Sequence, residues 1–417
     1  MSDIRVRIHT SVLELDAERW ARVSRGLGAG YGYRKIAQLQ QELPSGSWVV
    51  AAYRGSELLA YAFACAATAD APKFVQPGLV LTEPMVLRAE YEPDQLKAGI
   101  EDFKKSLGGA GAPGLDPVRR FLLAETQPAL VVRNMQDSRI VVDPDTGPEL
   151  QARLVESVLR ALVELAEDQG LRTVCFPYAT APVRDQLAEA GVLPWESCRL
   201  STTARYRLDG LASFDDYLAR LPSRRRREVR REIRRFAESG IEVSPAGFDE
   251  VIERVAVLEA NNFRKYGWDI TVEAILAQRR AWRAAFGEEL KVLVGRKGSD
   301  IVASLVFRET AELLELFSVG FDYSAVGGEY CYFNLSCYLP IRHAIERSIP
   351  TVEVGAEAVR GKYLRGCSVE QLYFCISRPD GVTAPVRDWL ALIDRQNSGF
   401  LSSVLGPAGL ARELAHA

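Results

Sequence analysis

Ile4, Val6 and Ile8 alternate with polar neighbours at the start of the chain, a period of two that predicts a strand. Residues 12–24 and 33–43 carry apolar positions at helical spacing and are expected to form two short helices. Two apolar runs follow, residues 49–53 and 58–64, joined by Arg54-Gly55-Ser56-Glu57; this is the pattern of a β-hairpin. Residues 67–147 are less regular, with a helical stretch over 91–107 and a glycine-rich loop over 108–114. A long amphipathic helix is expected over 149–169, leading into a strand over 172–176.

The second half repeats this order. Residues 292–309 (VLVGRKGSDIVASLVFRE) lie without gaps over residues 49–66 (VVAAYRGSELLAYAFACA), which puts Gly298-Ser299-Asp300 on Gly55-Ser56-Glu57. Residues 344–354 (AIERSIPTVEV) lie likewise over 166–176 (AEDQGLRTVCF). A hairpin followed later by a helix and a strand, twice, predicts a duplicated α/β unit. The boundary is expected near residues 208–211, dividing the chain into domains 1–208 and 209–417.

Two stretches of the second half carry unusual chemistry. Phe214, Tyr217, Leu218 and Leu221 keep helical spacing behind Ser213, a good N-cap. Pro222-Ser223 then restarts a helix that runs through an arginine-rich segment to Phe236. At about 100° per residue, Val229, Ile233 and Phe236 fall on one narrow face, and Arg224, Arg227, Arg231, Arg234 and Arg235 gather opposite. The run holds only two glutamates, too few to neutralise it by pairs along the helix, and guanidinium groups suit bidentate phosphate contacts. The second stretch is an amphipathic run over 332–347, a short apolar strand over 351–354, then Gly355-Ala356-Glu357 and the polar loop Arg360-Gly361-Lys362-Tyr363-Leu364-Arg365-Gly366. A loop at the end of a rigid element is where binding chemistry usually sits.

Bulk composition narrows the classes. The chain has 417 residues, of which 47% are hydrophobic and 26% charged, as in a globular protein of two domains. A net charge of −3 means that any polyanion must be held by a local patch. The seven cysteines form no CxxC pair and there are three histidines, so no zinc site is expected, and the cysteines read as small core residues of a reduced, cytoplasmic protein. No signal peptide is expected from the polar, alternating opening residues, and no apolar run has the length of a membrane span.

Residues 213–377 resemble the Fem peptidyltransferase and FemAB-like branch of the GNAT acyltransferase superfamily. The likeness rests on Phe214-Asp215-Asp216-Tyr217-Leu218 before the arginine-rich helix, and on the aromatic-basic segment Asn262-Phe263-Arg264-Lys265-Tyr266-Gly267-Trp268. It rests also on the strand that ends in Gly355 with Lys362 seven residues later and Arg365-Gly366 beyond. Gly361 departs from relatives that carry an aromatic residue or histidine there. The resemblance implies an α/β (α+β) fold of two tandem GNAT-like domains, each a mixed, mostly antiparallel sheet flanked by helices. The first half, joined to the family only through the repeat, is expected to be scaffold or acceptor platform.

The resemblance further implies acyl transfer to an amine through a tetrahedral oxyanion, with an aminoacyl-tRNA or an acyl-coenzyme A as donor and no tightly bound cofactor. Lys362, with Arg365, is the expected cation for the oxyanion or an acceptor anion, and Glu357 the acceptor of the amine proton. Asp322 and Tyr323 follow a strand over 313–319, where acyltransferases line their groove. Tyr332 and Asn334 are expected at a helix start, either touching the donor or capping the helix. Arg264, Lys265 and Trp268 are candidates for nucleotide contact, and Arg224, Arg227, Arg231 and Arg234 for the tRNA backbone. The loop over 322–328 has glycines but no arginine or glutamine for a pyrophosphate, which favours tRNA. Arg25-Gly26-Leu27-Gly28-Ala29-Gly30 fits the R-x-x-G-x-G loop of the superfamily, but a helix is expected before it and a glycine-rich turn is the preferred reading. A coenzyme A-dependent N-acyltransferase and a non-catalytic RNA- or partner-binding scaffold are the alternatives. No DNA partner and no membrane insertion are expected.

Overall fold

The computed structural model describes residues 4–43, 46–108, 114–134, 137–268, 270–326, 329–356 and 358–415. They form two compact units, Met1–Thr202 with Glu370–Ala417, and Thr203–Val369. The first unit contains strands β1 (Ile4–His9), β2 (Ser47–Arg54), β3 (Glu57–Ala67), β4 (Ala129–Val132), β5 (Val141–Val142) and β6 (Thr173–Thr180). The chain enters the second unit along β7 (Glu196–Arg207), which is followed by β8 (Glu242–Ala246), β9 (Leu290–Lys297), β10 (Asp300–Glu309), β11 (Leu313–Phe321) and β12 (Thr351–Glu353). It returns to the first along β13 (Ser368–Ser377).

The strand order has two halves with one plan. In the first, β1-β2-β3-β4-β6-β13 are neighbours, with β5 added on β3. Every pair is antiparallel except β4 with β6. In the second the order is β8-β9-β10-β11-β12-β7, and the parallel pair is β11 with β12. The last strand of each order comes from the other half of the sequence: β7 pairs β12 through Thr351↔Arg207, and β13 pairs β6 through Leu372↔Thr180. This exchange separates the compact units from the division at residue 208 that the repeat suggests. The C-terminal helix Ala384–Ala415 belongs with the first unit for the same reason. Its Trp389 is fully buried, donates to the Leu81 carbonyl at 3.1 Å and packs against Phe103 at 4.9 Å.

Local geometry confirms the duplication. The hairpin turns place Gly55 and Gly298 at φ of 61° and 62°. The helix ends are also alike: Leu171 N–H donates to the Ala166 carbonyl and Ile349 N–H to the Ala344 carbonyl, each at 2.8 Å. Both turns need a left-handed residue, which is Gly170 in one copy and Ser348, at φ 56°, in the other.

The apolar run of β3 reads as continuous because both its faces are covered. Tyr61, Phe63 and Cys65 point into one core with Trp20 and Trp389. Ala60, Ala62 and Ala64 lie on the other face under helix Pro148–Asp168, packed by Leu154, Val158 and Leu162. In the second unit, Ser213 caps helix Phe214–Arg220 in a capping box with Asp216. The arginine-rich helix Ser223–Ala237 buries Val229 and Phe236, the narrow stripe its spacing predicts. All seven cysteines are buried and none forms a disulfide. Among the described residues no helix is long and apolar enough to cross a membrane.

Candidate active site

β11 and β12 run together for three residue pairs, Leu313↔Thr351, Leu314↔Val352 and Glu315↔Glu353. They then part, because β12 ends and the backbone turns at Gly355, at φ 71°. At the same level β11 bulges against β10: Phe307 pairs Leu316 and Val306 pairs Ser318, so Phe317 is the extra residue. A bulge beside a strand gap redirects backbone N–H groups, a device common at active sites. Glu353 is buried where β12 ends and accepts from Thr203 Oγ1 at 3.2 Å and Arg205 Nε at 3.1 Å.

The loop beyond β12 folds over this point. Lys362 sits on the short helix Val359–Tyr363, buried at 3% exposure, and its ammonium donates to the carbonyls of Val354 and Gly355. Its charge therefore lies at the end of β12 rather than on an open turn. Arg365 turns to the arginine-rich helix. Its Nη2 donates to both Glu232 carboxylate oxygens at 2.7 and 2.9 Å, and its Nε to the Tyr338 hydroxyl at 2.6 Å. Nη1 donates to the Gly361 carbonyl at 2.9 Å, and the Phe333 ring lies 3.3 Å beneath the guanidinium. Burial works against the Arg365 charge, but Tyr338 and Glu232 outweigh it and hold the group more basic than an ordinary arginine. Burial pushes the Tyr338 phenol well above its usual range, with Arg365 drawing it back. Tyr338 also donates to Glu232 and ends a π-helical turn, Asn334–Tyr338, inside the helix that follows Glu329. Such wide turns mark functional sites often.

Gly361 has a packing role. A Cβ there would stand 2.7 Å from Phe333 Cζ, so glycine is what lets the Phe333 ring slide under Arg365. The departure noted at this position is thus matched by an aromatic residue supplied from another helix.

Outside this cluster, the arginine-rich helix presents its charged face. Arg224 pairs with Glu228 at 3.4 Å and Arg225 with the same carboxylate at 2.6 Å. Arg227, Arg231, Arg234 and Arg235 are exposed and have no ion-pair or hydrogen-bond partner among the described residues. A second exposed patch gathers at the end of helix Phe248–Lys265. Trp268 stacks on Phe263 at 5.8 Å, and Lys265 lies 4.4 Å over the Tyr323 ring. Arg264 donates to Asn261 at 3.1 Å, and Tyr323 donates to Asn262 at 2.8 Å. Tyr266, Trp268 and Tyr323 are three of six large apolar side chains exposed among the described residues.

The remaining candidates fall elsewhere. Asp322 is paired with Arg254 at 3.0 Å and bonded to Ser324, and these partners, Ser324 first, hold its carboxyl below the ordinary range. That leaves it a weak base. Asn334 does not stand at a helix start. It is buried inside the helix, donating to the carbonyls of Tyr330 at 2.6 Å and Glu232 at 3.3 Å, so it braces the arginine-rich helix. Tyr332 is half-buried against Phe333. Glu357 lies outside the described residues. Glu232, Tyr338, Phe333 and Glu353 were not singled out from sequence. Glu232 had a signal, since it flanks the apolar stripe of an otherwise basic helix; the other three read as ordinary core positions.

The second unit thus holds a parallel strand pair that parts beside a bulge, beneath a cationic loop. The chain belongs to the FemAB-like family, described as acting in peptidoglycan biosynthesis and recognition, which matches residues 135–399. Among solved structures it is similar to FemX, with 10% identity and a TM-score of 0.53 over 89% of this chain and 96% of that one. It is also similar to a tandem GNAT protein from the clavulanic acid biosynthesis pathway, with 10% identity and a TM-score of 0.45 over 89% and 98% of the two chains. A third similarity is to the C-terminal domain of a putative lysylphosphatidylglycerol synthetase from Agrobacterium fabrum, with 13% identity and a TM-score of 0.43 over 64% and 81%. These are likenesses of fold. No curated protein matches the sequence.

Proposed function

We propose that this acyltransferase moves an aminoacyl group from aminoacyl-tRNA to an amine of a small molecule or peptide precursor. The observation that carries the reading is the unpartnered arginine face of helix Ser223–Ala237. Four exposed guanidinium groups with no carboxylate partner among the described residues repel one another, and a phosphate backbone relieves that repulsion with release of counterions. The aromatic patch at Tyr266, Trp268 and Tyr323, with Lys265 among them, suits stacking on unpaired bases at the acceptor end. Arg365 and Glu232 tie the helix to the loop that follows β12, so a tRNA held by the helix is registered against the strand gap.

In the proposed reaction the acceptor amine attacks the ester carbonyl lying in the gap between β11 and β12. A C–N bond forms, the ester C–O bond breaks, and the proton lost by nitrogen ends on the released ribose hydroxyl. Backbone N–H groups at the Phe317 bulge and the positive potential of buried Lys362 stabilise the oxyanion. The family description favours an acceptor of the peptidoglycan-precursor kind, a peptide amine. Titration with charged and uncharged tRNA across salt tests the donor. Salt-steep binding that is lost in Arg227→Glu/Arg231→Glu supports it, and binding of acyl-coenzyme A with none of tRNA at low salt overturns it.

A further inference from the structure

The first unit repeats the strand parting, and a second polar cluster lies there. β4 pairs β6 at Ala129↔Thr173, Leu130↔Val174 and Val131↔Cys175, and ends at Val132. Among the described residues, pairing with β6 resumes at the bridge Ser138↔Ala179. Opposite this gap β6 itself bulges: Tyr373 pairs Ala179 and Phe374 pairs Pro177, which leaves Tyr178 as the extra residue. Tyr178 has φ 65°, a left-handed conformation that costs any residue with a Cβ. Just past the repeated strand in the second unit, that conformation belongs to Gly355, where the cost vanishes. A strained tyrosine where glycine would serve points to use of its side chain.

That side chain organises opposite charges. The Tyr178 hydroxyl donates to Glu83 Oε2 at 3.2 Å. The Arg133 guanidinium lies 4.8 Å over the Tyr178 ring and 5.6 Å from the Phe74 ring. Burial pushes the Glu83 carboxyl up and the Arg133 charge draws it back, without a salt bridge between the two among the described residues. Arg133 Nη1 is shut off from solvent with no hydrogen-bond partner, and so is Oδ1 of Asn134, which is 5% exposed. Buried polar atoms left unpaired are rare and costly. Phe74, 39% exposed, opens the cluster to the surface.

We propose that this cluster binds a small zwitterion of the amino-acid type. Its carboxylate is taken by Arg133 between the rings of Phe74 and Tyr178, and its ammonium by Glu83. Arg133 offers the planar fork that matches a carboxylate. Glu83 beside it repels a phosphate or any other polyanion, and a simple cation leaves Arg133 unsatisfied. A ligand with both charges meets both groups. The inference concerns binding in the first unit alone and stands or falls apart from the tRNA reading, whose titration reads the second.

Saturation-transfer NMR with the full chain tests it, using free L-alanine and L-serine, alaninamide (no carboxylate) and N-acetylalanine (no ammonium) as probes. Both free amino acids give transfer at millimolar concentration, and each blocked form binds weaker by about tenfold or more, since buried groups are then left unpaired. Arg133→Gln abolishes the signal, and Glu83→Gln removes the preference for alanine over N-acetylalanine. Circular dichroism of both variants checks that they fold, and the near-isosteric Glu83→Gln keeps the test decisive if Arg133→Gln does not. Absence of transfer from the free amino acids, or blocked forms binding equally well, overturns the proposal.

Discussion

Removing Glu232 is the perturbation that reports most on how the second unit is held together. Its carboxylate takes two bonds from Arg365 Nη2, at 2.7 and 2.9 Å, and one from the Tyr338 hydroxyl. The pair is mostly buried, at 13% exposure for Arg365 and 20% for Glu232, so solvent screens it only in part. Breaking such a pair leaves the other charge without compensation, at a cost of about 3–5 kcal/mol when burial is complete; the residual exposure here argues for the lower end. At 2–4 °C per kcal/mol for a unit of this size, Glu232→Ala and Arg365→Ala each lower Tm by roughly 6–12 °C. Both variants delete one shared interaction, so the double variant is less damaged than the sum by about 2 kcal/mol. Denaturant unfolding of the four proteins measures this coupling. Additivity to within about 0.5 kcal/mol would mean that helix and loop are not joined through this pair, and the registration argument would fail.

Other expectations follow from single side chains. Arg227→Glu/Arg231→Glu leaves unfolding stability within about 0.5 kcal/mol of wild type, because both side chains are exposed, yet it flattens the slope of tRNA affinity against salt by roughly 0.7–0.9 for each phosphate no longer neutralised. Gly361→Ala forces Phe333 aside and costs about 1–3 kcal/mol, more than the helix propensity it gains; Phe333→Leu in the same background recovers part of the loss in thermal unfolding. Lys362→Ala lowers transfer by about two to three orders of magnitude, the scale of one missing oxyanion donor, in a single-turnover assay. Asp322 contributes to stability through a carboxyl held below its usual value. That contribution is present above the unfolded pKa near 3.8 and is lost as pH falls through the folded one. Asp322→Asn therefore flattens the decline of Tm on acidification below about pH 4; an unchanged profile excludes the Arg254 and Ser324 contacts as its source.

Much of the fold was legible in sequence because the repeat preserves turn chemistry as well as apolar pattern. Gly55 and Gly298 announce their hairpins, and the shared Thr-Val pairs announce β6 and β12. The stripe Val229, Ile233 and Phe236 likewise placed the arginine-rich helix with its basic face outward. The exchange of β7 and β13 was not legible, since strand pairing depends on which edge is free in three dimensions and each strand carries the same apolar alternation wherever it lies. The site was half legible. Gly355, Lys362 and Arg365 stood out by spacing and charge, but a charged loop reads alike whether its cations face solvent or carbonyls. Lys362 turned out to be buried against two of them. Glu232 stood out beside the apolar stripe of its helix, but its partner Arg365 lies far along the chain and the pairing was not legible, nor was Tyr338, because a phenol in an apolar helix reads as core.

The central claim, aminoacyl transfer from tRNA by the second unit, is tested most directly by mass spectrometry of small products formed with a mixed aminoacyl-tRNA pool and a set of peptide and small-molecule amines. The account predicts an acceptor whose mass rises by one aminoacyl residue, formed by the wild-type chain and formed about two to three orders of magnitude more slowly with Lys362→Ala. An increment that appears only with acyl-coenzyme A, or no product from either donor, would contradict it.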